Sequence, residues 1–114
     1  MHKIDDAIEA RIAGYIGIAQ KAGKIAAGDM LTQEALKANK ATMLLIAADA
    51  AASVKEELLP QAERKNLPVL EWKDKDSLGL IVGKSRRGAL ALCDAGFTKA
   101  ILKVIREHEQ KSKI

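Results

Sequence analysis

Apolar residues in the first part of the chain recur at the spacing of an amphipathic helix. Gly14 and Gly17 are weak points within it, because glycine is a poor helix former. The periodicity stops at Ala22-Gly23, and residues 24–27 form a short strand candidate. The periodic positions are Ile4, Ala7, Ile8, Ile12, Tyr15, Ile16 and Ala19.

Helical and strand patterns alternate along the rest of the chain. Two unalternating apolar runs, residues 43–47 and 89–93, are typical of strands covered on both faces. A further strand begins at Pro68, where a missing amide is tolerated, and runs to Trp72. The remaining helical segments are residues 29–38, residues 53 to about 66, a short helix that ends near Gly83, and a last helix with the apolar residues Phe97, Ala100, Ile101, Val104 and Ile105.

Residues that satisfy free helix amides stand at the predicted helix starts. A short polar side chain, or a glycine, is preferred at this position. The candidate caps are Gly28 or Asp29, then Ser53 with Glu56 in a capping box, then Asp76 or Ser77.

This α-β-α-β-α-β-α-β-α order predicts the fold class. Strands that alternate with helices form a mainly parallel or mixed sheet with helices on both faces. We therefore expect an α/β fold, a three-layer α/β/α sandwich in a single domain over residues 1–114.

The helix over residues 29–38 carries two neighbouring apolar stripes. One contains Leu31, Ala35 and Ala38, and the other contains Thr32, Leu36 and Asn39. A helix that covers one side of a sheet cannot bury both fully. In the second register Met30 and Leu31 lean outward, and the periodicity leaves the choice open.

Composition places the chain among globular proteins. It has 114 residues, of which 48% are hydrophobic and 30% charged, enough for a core. No apolar run spans a bilayer, and acids near the N-terminus argue against a signal peptide. The single cysteine, Cys93, excludes an internal disulfide and favours a reducing, cytoplasmic setting.

Few residues have the arrangement of a catalytic or metal site. Asp49 and Asp94 follow buried strands, where open α/β sheets bind ligands, but each also precedes a helix that it would cap. We favour capping. His2, His108 and Cys93 share no ligand spacing, so we expect no metal, no cofactor and no small-molecule substrate. We expect Cys93 to be a small residue of the core.

Positive charge is concentrated in residues 11–48 and 84–114, within a net charge of +4. Residues 83–88 place three cations between two glycines, which indicates either a solvated turn or a phosphate clamp. Only Tyr15, Trp72 and Phe97 are aromatic, so base stacking on a sheet is not expected. A nucleic-acid partner would be bound through its backbone and shape.

Two stretches resemble a known family. "IGIAQKAGKIAAGDMLTQEALKANKATMLLIAADA" and "LGLIVGKSRRGALALCDAGFTKAI" are similar to the ribosomal protein superfamily of the L-seven-Ae and L-thirty-e type, and within it to the small bacterial YlxQ-like group. The resemblance covers residues 16–105. It implies a four-stranded mixed sheet between helix layers and binding of structured RNA, for which kinked stems are the best-known targets.

In the RNA-binding members the surface comes from the start of the second helix and the loop before the last strand. By this resemblance the two segments form one surface that holds a bent RNA backbone at a helix N-terminus. The candidate RNA-binding residues are Lys24, Gly28, Asp29, Met30, Leu31, Lys37, Gly83, Lys84, Ser85, Arg86, Arg87 and Gly88.

The chain departs from the kink-turn pattern of Gly-x-Asn-Glu followed by lysine. Gly28 matches, whereas Met30, Leu31 and Glu34 replace the asparagine, glutamate and lysine. We therefore expect a non-catalytic protein that grips ribosomal or other non-coding RNA, within a ribosome or other ribonucleoprotein, without the kink-turn readers. The alternative is a protein-interaction module that uses Met30 and Leu31 as its contact patch. A hydrolase or transferase using Asp49 or Asp94 ranks last.

Overall fold

The computed structural model describes the backbone of residues 6–112 and the side chains of residues 6–109. Ile4, in the predicted first helix, and His2 lie outside the described residues.

Five helices and four strands alternate in the predicted order. They are α1 (Asp6–Lys21), β1 (Ile25–Ala27), α2 (Asp29–Lys37), β2 (Met43–Ile46), α3 (Ala52–Arg64), β3 (Val69–Glu71), α4 (Lys75–Ile81), β4 (Ala89–Leu92) and α5 (Ala95–Ser112).

The four strands form one mixed sheet in the order β1-β4-β2-β3. β4 is antiparallel to both of its neighbours, and β2 is parallel to β3. Among the helices, α1 packs against α4 and α5, and α2 packs against α3. The expected α/β sandwich with a four-stranded mixed sheet is confirmed.

The two apolar runs are the centre of the core. Every residue of β2 and of β4 is buried, as their unalternating sequences predict. Because side chains alternate across a strand, Ala89 and Ala91 lie on one face of β4 and Leu90 and Leu92 on the other. Both faces are therefore packed against helices, which fixes the position of β4 and of the loop that precedes it.

Two predicted caps are wrong. α3 begins at Ala52 with Ala51 as its N-cap and no side-chain cap bond, so Ser53 lies inside the first turn and makes no capping box. α4 is capped by Asp74, not by Asp76 or Ser77. The chain turns into α4 earlier than the apolar pattern suggests: β3 ends at Glu71, and Lys73 adopts a φ of 59° directly before the Asp74 cap.

Asp74 accepts a hydrogen bond from the Ser77 amide at 2.7 Å. That backbone bond, followed by the bond to the Ser77 side chain, holds the pKa of the Asp74 carboxyl below its ordinary value. A lowered pKa in the folded state means that the cap stabilises α4 above the unfolded pKa, and that this is lost as the pH falls through the folded pKa.

Asp49 and Asp94 are both bonded to helix amides. Asp94 Oδ2 accepts from the Phe97 amide at 2.8 Å, which caps α5 as expected. Asp49 Oδ1 accepts from the Lys75 amide at 2.8 Å, so it serves the start of α4 and not the helix that follows it in the chain. Because Lys75 is far from Asp49 in sequence, this bond cannot be predicted from the residues next to Asp49.

Replacing Asp94 by alanine tests the cap of α5. We expect Asp94→Ala to lower the free energy of unfolding by about 1 kcal/mol, because the Phe97 amide loses its acceptor. Asp94→Asn is the matched control and should retain most of the stability, since asparagine caps about as well. Urea denaturation of the three proteins gives the comparison. Equal losses for both variants would contradict the capping role.

Candidate nucleic-acid interface

Gly28 forms the junction between β1 and α2. Its φ of 102° and ψ of 164° lie in a region that side chains rarely permit, so the junction requires glycine. The Gly28 amide donates to the Ala89 carbonyl at 2.9 Å, and its own carbonyl accepts the first bond of α2, from Thr32. No side-chain bond caps the helix. The amides of the first turn therefore face outward at the positive end of the helix dipole.

The loop over residues 83–88, hereafter the basic loop, is held against α4. Gly83 has a φ of 70° and ends the helix by donating to the Leu80 carbonyl. A Cβ on Gly79 would lie 2.0 Å from the Ser85 carbonyl oxygen, so only glycine allows the loop to pack there. The Arg87 amide donates to the Lys75 carbonyl at 3.0 Å. The loop is thus exposed but anchored.

The structure brings the basic loop and the start of α2 into contact. A Cβ on Gly28 would stand 3.3 Å from Arg87 Cδ, which means that the arginine side chain lies directly over this glycine. A Cβ on Gly88 would stand 3.1 Å from Asp29 Oδ1. The two segments implied by the family resemblance therefore form one continuous surface, because β1 and β4 are antiparallel neighbours.

The arginines of the basic loop already have partners within the protein. Arg86 Nε lies 2.9 Å from Asp76 Oδ1 in an ion pair whose side chains are 62% and 74% exposed. Arg87 folds back, and its Nη1 donates to the Ser85 carbonyl, the Ser85 hydroxyl and the Arg86 carbonyl at 2.9–3.1 Å. Such exposed contacts contribute little and exchange readily for a stronger anion.

Two predicted RNA contacts lie away from this surface. Lys24 precedes β1 and Lys37 ends α2, whereas Gly28 stands at the other end of both elements. Nine residues of helix separate Gly28 from Lys37 along α2, which corresponds to about 13 Å. The amides of Gly83, Lys84 and Arg87 are also bonded within the protein, so they are not free to follow an RNA backbone.

The structure resolves the register of α2. Thr32, Ala35 and Leu36 are buried, while Met30 and Leu31 are 73% and 51% exposed. The second of the two predicted stripes therefore faces the sheet. Leu31 belongs to the other stripe and lines an open groove of about 430 Å³ between β1 and α2.

Sequence reasoning missed the role of one acid, Asp76, and of one lysine, Lys40, near these surfaces, whereas Asp29 was among the candidate RNA-binding residues. Asp76, the partner of Arg86, was taken as a helix cap, and Asp29 lies against Gly88. Lys40 lines the groove together with Cys93. No local signal marks these pairs, because each joins residues from different elements.

Cys93 is half-buried at the end of β4. Burial raises the pKa of its thiol, while a hydrogen bond with the Ala26 backbone and the charge of Lys40 act in the opposite direction. The thiol is therefore largely protonated at neutral pH. Its packing against the core agrees with the expectation of a small core residue.

The described part of the chain also bears on metal sites and on membrane spans. Within residues 6–112, no group of three or more His, Cys, Asp or Glu side chains is placed to hold a metal ion. None of the helices in that range is long and apolar enough to cross a membrane.

Comparison with known proteins places the chain among relatives. A protein named RNA-binding protein YlxQ from Enterococcus faecium is 28% identical over 90 residues, which is 79% of this chain and 86% of that protein. The RNA-binding protein YlxQ of Bacillus subtilis (strain 168) is 22% identical over 90 residues, covering 79% of this chain and 90% of the relative.

Solved structures share the fold. A protein with unknown function from Bacillus halodurans C has a TM-score of 0.79 and 25% identity, with 85% of this chain and 98% of that one covered. The Giardia lamblia 15.5kD RNA binding protein has a TM-score of 0.74 and 17% identity, covering 93% and 91%.

A family model extends over most of the described residues. The match runs from residue 10 to residue 102, from within α1 into α5, and it includes both the start of α2 and the basic loop. This confirms the resemblance stated from the two sequence stretches. The chain belongs to the ribosomal protein L7Ae/L30e/S12e/Gadd45 family.

Proposed function

We propose that this protein binds structured RNA through the surface formed by the start of α2 and the basic loop. The observation that carries the proposal is the position of Arg87 over Gly28, which brings the guanidinium Nε close to the N-cap residue of a helix that has no side-chain cap. A phosphate at this point would meet both. Membership of the family and the names of the YlxQ relatives support RNA as the partner.

Three cations of the basic loop would contact the backbone. Lys84 and Arg86 are exposed, and Arg87 is half-buried over Gly28. Arginine grips phosphate with a planar fork, so the two arginines would fix the position of a bent strand. Three contacts imply a log–log dependence of affinity on salt with a slope of roughly −2 to −3.

Asp29 and Met30 would contact the nucleosides and not the phosphates. The Asp29 carboxylate is exposed at the first position of α2, where it can accept a hydrogen bond from a 2′-hydroxyl or a base amino group. Met30 is apolar and exposed where kink-turn binders carry a polar reader. The surface therefore favours bent backbone over the sheared base pairs of a kink-turn.

The proposal assigns no catalytic step. One carboxylate oxygen of Asp49 and one of Asp94 each accept a bond from a helix amide, which favours a capping role for both. Ribosomal or other non-coding RNA in the cytoplasm remains the predicted partner and location. Lys24 and Lys37 stay predictions as RNA contacts, at positions remote from the loop.

Removing both arginines tests the proposed surface. We expect Arg86→Ala with Arg87→Ala to weaken binding to ribosomal RNA fragments, and the salt slope to fall by roughly 1.5 to 2 units, because two phosphate contacts disappear. Filter binding over a range of salt concentrations measures both quantities. Thermal unfolding should be nearly unchanged, since the polar contacts of both side chains are exposed and contribute little.

The control for this experiment removes the same charge elsewhere. Lys99 and Lys103 are exposed on α5, and their double alanine variant should bind RNA almost as well as the unmodified protein. The affinity for a kink-turn stem is then compared with that for a continuous paired stem, which separates recognition of RNA shape from recognition of RNA sequence. If the arginine variant bound as tightly as the control variant, the assignment of the site would be wrong.

Neutralising Asp76 tests whether its ion pair with Arg86 competes with RNA binding. We expect Asp76→Asn to raise affinity for the same RNA by about two- to fivefold, because an exposed ion pair of up to about 1 kcal/mol no longer competes with phosphate. Glu63→Gln, an equal change of charge on an exposed residue of α3, is the matched control. An equal gain in both variants would mean that only net charge matters.

A further inference from the structure

The groove between β1 and α2 is separate from the basic loop. It is lined by Ile25 and Ala26 of β1 on one side, and on the other by Leu31, Glu34 and Ala35 of α2 and by Ala38 at its end. Lys24 and Lys40 lie at one end of it, near Cys93. The basic loop precedes β4, whereas Cys93 follows it, so the length of β4 separates the two surfaces.

β1 is an edge strand, and within residues 6–112 no strand pairs with its outer side. The Gly28 amide donates to Ala89, and the Cys93 amide donates to the Lys24 carbonyl, so the even-numbered positions of this segment face β4. Hydrogen bonding alternates along an antiparallel strand. The N–H and C=O groups of Ile25 and Ala27 therefore point away from the sheet, where a further strand would pair.

The floor of the groove is apolar. Leu31, Ala35 and Ala38 recur at helical spacing and line it, with Ala35 buried and Leu31 half exposed. Leu31 and Ala38 of this stripe are exposed, whereas Ala35 belongs to the core. Side chains on one face of an added strand would pack against this stripe, because alternate residues of a strand point to the same face.

The charges at the groove favour an acidic occupant. Lys24 and Lys40 are exposed, and neither forms an ion pair with a described acid within 4.0 Å. Glu34, on the α2 side, is the one acid among the lining residues of the groove. The open end near Cys93 is thus positive and would attract carboxylates next to the paired segment.

We propose that this groove binds an extended, acidic segment of a partner protein, which adds to the free edge of β1 as a fifth strand. A peptide supplies both amide donors and carbonyl acceptors at the spacing of Ile25 and Ala27, whereas a nucleotide chain has no backbone amide donor. β1 has three residues, so the contact is about 10 Å long and the binding is weak and reversible.

A second copy of the chain matches the groove less well. The other free edge of the sheet is β3, whose Glu71 is already paired with Lys55 at 3.1 Å. Joining β1 of one copy to β3 of the next is also a head-to-tail contact that does not close on itself. Pairing of β1 with β1 of a second copy about a two-fold axis is the remaining closed arrangement, and the dependence on protein concentration tested below detects it. The two lysines of the groove favour an acidic segment of a different protein.

The test uses the full ¹⁵N-labelled chain and a capped heptapeptide that alternates glutamate with valine. We expect amide shifts and slowed exchange at Ile25 and Ala27, a shift at Leu31, and no change along β3. Two further peptides carry N-methyl groups on the odd or on the even amides. Strand addition requires that one of these two loses binding and the other keeps it, because only one set of amides faces β1.

Protein variants separate the contributions of charge and of the apolar floor. Lys24→Glu with Lys40→Glu should weaken peptide binding roughly tenfold, since two attractive charges become repulsive. Leu31→Asp should also weaken it. Met30→Asp is its matched control, because Met30 is exposed but does not line the groove, and it should leave peptide binding unchanged.

Several results would contradict the proposal that the groove binds a peptide. Equal binding of both N-methylated peptides, or shifts confined to β3, would exclude pairing with β1. Shifts in the groove with an oligouridylate but not with the peptide would assign it to RNA, and shifts that grow with protein concentration alone would assign it to a second copy. The arginine variant of the basic loop should bind the peptide normally, so failure of the RNA proposal is a separate outcome.

Discussion

β4 runs antiparallel to both β1 and β2, and the positions of all the surfaces described above depend on this pairing. Its first residue lies opposite the end of β1, which brings the basic loop to the start of α2. Its last residue lies opposite the start of β1, which brings Cys93 to Lys24. Because β4 is buried on both faces, neither end can shift without opening the core. One strand pairing therefore sets the positions of both proposed binding surfaces, at opposite ends of β4.

The arginine side chains of the candidate interface are held by weak contacts within the protein. Arg86 pairs with Asp76, and Arg87 bonds to the backbone of its own loop. These contacts are exposed, so breaking them costs little, yet they hold both guanidinium groups near the position in which a phosphate would be met. The cost of ordering the loop on binding is reduced accordingly. Specificity for a particular base pairing would need polar readers, and Met30 and Leu31 do not provide them.

The fold of the family is compatible with more than one kind of partner, because the site and not the architecture decides the function. Here the proposed RNA-binding surface includes the start of α2, while Leu31, Ala35 and Ala38 line a groove beside a free strand edge. Leu31 stands where the two meet. A protein that holds RNA at one end of α2 and a peptide along its side would connect the two partners without a large conformational change.

Local pattern determined the order of the elements, the buried runs of β2 and β4 and the glycine junction at Gly28, because periodicity and backbone freedom are properties of neighbouring residues. The same reasoning placed the caps of α3 and α4 at the wrong residues, because the apolar pattern does not show where the chain turns into these helices. Only the tertiary structure decided which stripe of α2 is buried, that Asp49 serves α4, and that Lys24 lies away from the basic loop. Each of these three features depends on contacts between residues that are far apart in sequence. Such contacts are set by strand order and packing, so they cannot be predicted from a short segment of the chain.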